Sequence, residues 1–188
     1  MVSNSLEALQ RQPVISKRAL KRLQQMLKTL TQQVALVEAE LLTLLEQRFA
    51  AQMTLLCSIP GIGRKTAGML LLFAGGFGFT HFDTYRQVIA LAGLSSREHT
   101  SGTSIRGKVR ITKMGGGLIR GKLSMCSFSA KKTNAACAAL FDRLVAKGKN
   151  KKLALIAVCN KLLKQVCTIV KSGVPCQADF NSKLACTS

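Results

Sequence analysis

A chain of 188 residues with 47% apolar content is long enough for one packed core plus an extension, and it is not a disordered tail. Its 28 Lys and Arg against 8 Asp and Glu give a net charge of +20, which repels itself unless a polyanion or an anionic surface lies nearby; nucleic acid is the leading partner, a membrane surface the second. The longest apolar run, Ala67 to Phe79, holds 13 residues and four glycines; a spanning helix needs about 20 residues, so none is expected here, and the polar start from Met1 to Gln12 reads as no signal peptide.

In chain order the first element is a long helix. Leu20, Leu23, Leu27, Leu30, Val34, Val37, Leu41 and Leu44 recur at alternating steps of three and four between Pro13 and Met53, the seam of a coiled coil. Lys17, Arg18, Lys21 and Arg22 crowd its start while Glu38, Glu40 and Glu46 sit near its end. That order opposes the helix dipole, so the basic end is better suited to a partner than to the helix itself. The pattern alone fits a coiled coil with another chain or segment, giving a homo-oligomer, and also an amphipathic helix packed on its own domain.

A linker segment over 1–53 is therefore expected to precede a compact helical domain over 54–174, with a loose tail at 175–188. The domain opens on "CSIPGIGRKTAGMLL", where Pro60 stops the preceding helix and two glycines reverse the chain. A helix from Arg64 to Ala74 should end at Gly75 and Gly76, and another from Thr84 to Ala92 has Asp83 as its expected N-cap and Gly93 past its end. Ser95 to Lys113 is polar, basic and irregular, with Val109 and Ile111 flanking Arg110 as the hint of a short strand. Helical spacing returns near Leu118 and runs to about Lys171, with breaks near Asn134 and Gly148. The fold class is mainly α.

Seven cysteines, at 57, 126, 137, 159, 167, 176 and 186, include no C-x-x-C pair and read as small core residues of a reducing, cytoplasmic protein. His81 and His99 are too far along the chain from most thiols to suggest a zinc site.

Two stretches carry chemistry. In the turn, Gly61 and Gly63 can leave backbone N–H groups pointing outward, Arg64 and Lys65 add charge, and Thr66 adds a hydroxyl. Such a place grips one phosphate without reading sequence; a plain interhelical connection with solvated cations has the same spacing. In the loop, Ser101 precedes Gly102 among Arg97, Arg106, Lys108, Arg110 and Lys113. Cations that stabilise an attacked phosphodiester could make this serine a nucleophile, although serines in such settings also simply bond phosphate or cap turns.

Four ordered segments, "SIPGIGRKTAGMLL", "FDTYRQVIALAGL", "TSGTSIRGKVRITKMGGGLIRGKL" and "ALFDRLVAKGKNKKLALIAVCNKLLK", together resemble the C-terminal transposase domain of the insertion-sequence family numbered one hundred and ten, which includes Piv-type DNA invertases. The resemblance implies a recombinase acting on DNA ends, guided in the better-understood members by an RNA from the element's own flank. It implies a serine nucleophile, here Ser101 with Gly102, and a recurring arginine, here Arg120, that contacts DNA or orients the loop. It also implies a helix-hairpin-helix-like motif at the opening turn. Ser95, Gly116 and Asn160 depart from residues usual in the family, and "FAGGFGF" lacks an acid often found there.

In that family a separate RuvC-like domain with four acidic residues holds divalent metal. Before residue 38 the only acid here is Glu7. The expectation is thus a truncated back half of a transposase, with no cofactor bound by this chain and Mg²⁺ only in the missing domain. It would be inactive alone, its coil pairing with a copy of itself or with the RuvC-like domain. A non-catalytic nucleic-acid-binding module is the rival reading.

Overall fold

The computed structural model describes residues 17–74, 78–97, 100–101, 105–106 and 110–176; of 78, 80, 100, 101, 105 and 106 it describes the backbone alone. Among the described residues six helices and four short strands are arranged in the order α1 (Lys17–Cys57), α2 (Arg64–Phe73), a 3-10 turn (Gly78–His81), α3 (Tyr85–Leu91), β1 (Ser96–Arg97), β2 (Thr100–Ser101), β3 (Ile105–Arg106), β4 (Arg110–Ile111), α4 (Gly117–Thr133), α5 (Ala135–Ala146) and α6 (Lys151–Ser172). The chain is mainly helical, as its spacing predicts.

Two compact units divide the chain, Met1–Arg48 and Phe49–Ser188. The division falls inside α1, where Phe49 leaves helical geometry at φ −131°, ψ 35°. In the first unit the helix is continuous, and Thr29, Thr31 and Thr43 return their hydroxyls to the carbonyls of Gln25, Leu27 and Ala39. These β-branched polar residues are thereby accommodated in the helix with their hydroxyls satisfied. The seam residues Leu30, Val34, Val37 and Leu44 are 56, 58, 62 and 62% exposed.

The second unit packs its helices around α6, which lies against α3, α4 and α5. By length and composition α6 could cross a membrane, but Val158, Leu162, Leu163 and Val166 have no accessible surface because they form the centre of this unit. Leu56, Ile59, Leu70, Leu71, Phe79, Val88 and Leu123 complete the core, which stabilises the fold through the apolar area it removes from water.

The helix breaks have local causes. Asn134 adopts extended geometry, and its side chain accepts from Cys137 N at 3.2 Å while its Nδ2 donates to Gln165 Oε1 at 3.1 Å. One buried amide thus ends α4, starts α5 and ties both to α6. The second break is the turn around Gly148, after which Asn150 caps α6 by accepting from Lys152 N at 2.9 Å. The expected cap of α3 shifts by one residue: Thr84, not Asp83, is the N-cap, and its N–H donates to Gln87 Oε1 at 3.4 Å. Gln87, three residues on, reaches back to Thr84 and so sets the cap there, while the backbone carbonyl of Asp83 accepts from Lys171 Nζ at 2.7 Å.

Cys126, Cys137, Cys159 and Cys167 are buried in the core, while Cys57 is exposed and Cys176 half-buried. Cys57 corrects the expectation of a core residue, because it falls on the outer side of the last turn of α1. Burial pushes the Cys137 and Cys167 thiols up to about 11. The helix stops expected at Gly75 and Gly76, the tail beyond 176 and Cys186 lie outside the described residues.

Candidate nucleic-acid interface

The turn between α1 and α2 is anchored on both sides by apolar plugs. Ile59 and Ile62 are 1 and 5% exposed, and Ile62 N closes the turn on Ile59 O at 3.0 Å. Between them Gly61 has φ +101°, a region that side chains rarely enter, and a Cβ there would stand 2.7 Å from Ala130 Cβ. Glycine is therefore required twice, for the backbone angle and for the approach to α4. The turn is consequently a fixed shelf.

Beyond the shelf, Gly63 is the N-cap of α2, with open space where a side chain would be and no side-chain acceptor for the first helical N–H groups. Arg64 and Lys65 are exposed at the first two helical positions, and the first turn holds no acid. Cations there oppose the helix dipole, a placement that an external anion relieves. Thr66 is half-buried, its Oγ1 accepting from Cys126 Sγ at 3.5 Å. It helps seat the turn on α4.

The basic loop is a hairpin in two ladders. Ser96 pairs with Ile111 and Arg97 with Arg110 at its base; Thr100 pairs with Arg106 and Ser101 with Ile105 further out. Among the described residues Ser101 ends the outgoing side of this second ladder. Sequence spacing locates β4 but not its partner β1, since Ser96 and Arg97 carry no apolar alternation. Gly102 and Lys108, and the side chains of Ser101 and Arg106, lie outside the described residues.

Arg97 and Arg110, both exposed, face each other directly across the antiparallel pair. Residues in that relation hold their Cβ atoms about 4.5–5.5 Å apart, and like charges there are destabilising. Each guanidinium presents a planar fork suited to a phosphate. An anion lying over the pair would turn the repulsion into binding.

Backbone bonds clamp the hairpin base. Thr112 N donates to Ser95 O at 2.9 Å, Lys113 N to Gly93 O at 3.1 Å and Gly116 N to Leu91 O at 3.2 Å. Arg120, half-buried on α4, adds its Nη1 to Ala92 O at 3.0 Å. Gly93 sits at φ +67°, and a Cβ there would come within 2.6 Å of that same Nη1. Arg120 therefore joins α4 to the end of α3, a bond the sequence pattern does not reveal because its partner is a backbone carbonyl 28 residues away. Exposed Lys113 takes φ 55°, a left-handed angle unusual for a side-chain-bearing residue and one that turns the returning strand toward α4.

Among the described residues no group of three or more His, Cys, Asp and Glu side chains comes together as a metal site. What the surface offers is the uncapped start of α2 and exposed cations on the turn and the hairpin base.

Residues 53–142 match the sequence model of the family described as "Transposase IS116/IS110/IS902 family". The chain is 32% identical over 123 residues to the "Pilin gene-inverting protein" of Moraxella lacunata, covering 65% of this chain and 38% of that protein. It is equally similar to the protein of the same name from Moraxella bovis. Over 137 residues it is 28% identical to the "Insertion element IS110 uncharacterized 43.6 kDa protein" of Streptomyces coelicolor, covering 73% of this chain and 33% of that protein. The chain thus spans 33 to 38% of the length of these relatives.

Proposed function

Because this chain carries the C-terminal transposase domain of the IS116/IS110/IS902 family, we propose that it is the DNA-binding and strand-transfer half of an insertion-sequence recombinase. The observation that carries the reading is the Arg97 and Arg110 pair at the hairpin base, two like charges built face to face on a clamped support. Gly63, Arg64 and Lys65 supply a further phosphate grip on the turn. All of these contacts address the sugar–phosphate backbone, so they position DNA without reading bases.

In the proposed chemistry, Ser101 Oγ attacks a phosphodiester phosphorus. The Oγ–P bond forms as the bond from phosphorus to the departing strand oxygen breaks. The hydroxyl proton passes to solvent or a base, and the departing oxygen takes one up; a second DNA end then displaces the serine. Arg97 and Arg110 neutralise the charge growing on the phosphate oxygens. The carboxylates for Mg²⁺ are proposed to belong to a RuvC-like partner domain, met through the α1 seam, and a guide RNA belongs to the same proposal.

Mixing the chain with a family RuvC-like domain, Mg²⁺ and a cognate DNA end should yield a covalent protein–DNA adduct on a denaturing gel, abolished by Ser101→Ala. Salt-dependent binding without any adduct would instead select the non-catalytic binding module. With about five to eight phosphates contacted, log K should fall against log salt with a slope of roughly −5 to −7. A salt-independent affinity would remove both readings.

A further inference from the structure

The turn between α5 and α6 carries Lys147, Lys149, Lys151 and Lys152 within six residues. All four are exposed, and among the described residues none donates a side-chain hydrogen bond or forms an ion pair. Asp142, the nearest acid along the sequence, is exposed on α5 and makes no ion pair with them. Asn150 already caps α6 through Lys152 N, so the helix end is internally satisfied and the side-chain ammonium groups are what the surface offers.

Their position is unfavourable for the fold. Lys151 and Lys152 occupy the first helical positions of α6, whose first turn has no acid. Cations there work against the dipole, and four like charges in one turn repel one another. A surface kept at a cost to the free protein, and covered by nothing among the described residues of its own unit, fits a partner that brings dense negative charge.

The turn is also distant from the α2 shelf. Gly61 backs onto Ala130 near the end of α4, and Asn134 fixes that end beside Gln165 of α6. Lys151 lies fourteen residues earlier on α6, about 21 Å at the helical rise of 1.5 Å per residue. Along one DNA strand, at 3.4 Å per nucleotide, that is about six nucleotides. The two cationic groups therefore address different phosphates.

We infer that the Lys147–Lys152 turn is a second DNA-backbone contact, separate from the α2 turn and the hairpin. It rests on the proposed DNA role, and the comparison of two variant sets keeps the two claims apart. In fluorescence anisotropy with a labelled 30-base-pair duplex, the full chain with Lys147, Lys149, Lys151 and Lys152 changed to Ala should bind at least about tenfold more weakly. Its slope of log K against log salt should be shallower by about 2 to 4. Its melting temperature should stay level or rise, because dipole-opposed charges are removed, which separates lost contact from lost fold.

Unchanged affinity and slope in this variant, with weakened binding in Arg64→Ala/Lys65→Ala, would overturn the inference and leave the DNA role standing. No binding of any duplex by the parent chain would remove the DNA role and the inference with it. Retained DNA binding with lost binding to phosphatidylserine vesicles would also overturn it, assigning the turn to a membrane surface.

Discussion

The α1 seam and the buried face of α6 use the same three-and-four spacing and meet opposite fates. Val158, Leu162 and Val166 have no accessible surface, whereas Leu30, Val34 and Val37 in the first unit are 56 to 62% exposed. The difference lies in the neighbours that the chain supplies to each face. Within its unit α6 has three helices to close around it, and each brings its own apolar side. Among the described residues of its own unit, the seam is a single helix with nothing to cover it. Periodicity thus identifies a face that wants burial, and neighbouring elements decide whether the chain supplies the cover.

The sharpest way to break this contrast is to truncate one residue on each side of it. Leu162→Ala should lower the stability of the second unit by about 2–5 kcal/mol in urea unfolding, because a fully enclosed side chain leaves a cavity. Val34→Ala in a dilute monomer should stay within about 0.5 kcal/mol. Equal costs for the two would erase the distinction between covered and uncovered faces.

Between those values lies Gly61→Ala, expected to cost about 1–3 kcal/mol, since the new Cβ meets Ala130 and the backbone angle resists it. A melt as stable as the parent's would show that the turn is not clamped.

Seam coverage itself is read by light scattering. The parent chain should associate at tens of micromolar, and Leu30→Lys/Val37→Lys should be monomeric with unfolding of the second unit unchanged. A parent that stays monomeric at high concentration would return the seam to a solvent-facing helix.

The smallest effect concerns alkaline pH. Burial holds the Cys137 and Cys167 thiols neutral up to about 11, against an ordinary value of 9.0. Between those values the unfolded chain releases protons that the folded one keeps, so stability present below pH 9 declines as pH rises toward 11. The decline should be shallower in Cys137→Ala/Cys167→Ala, measured as the change in melting temperature between about pH 8 and 10.5. It should involve the second unit alone, because the first contains no cysteine.

Elements set by local chemistry were readable from the residues. Asn134 and Gly148 punctuate the last three helices where expected, since a side-chain cap and a left-handed glycine act on their immediate neighbours. What depends on distant partners was not readable. Lys171 donates to the Asp83 carbonyl from far along the chain, a bond that no local pattern marks. The same holds for the site. The Gly61 turn stood out by composition, whereas the pairing of Arg97 with Arg110 and the anchoring of Arg120 on Ala92 emerge only when strands and helices meet.

Phe49 gives the long helix a consequence for its dynamics. Backbone amides from Lys17 to Arg48 lie in a helix whose apolar side is largely open to water, so in a lone molecule they can open locally and exchange with solvent at little cost in free energy. Amides after Phe49 share a unit with the core, where Met53 and Leu56 are buried, and the slowest of them exchange only when that core unfolds. A single interrupted residue thus makes one helix into two cooperative segments, and whatever covers the seam would be recorded as slowed deuterium uptake on one side of Phe49 only.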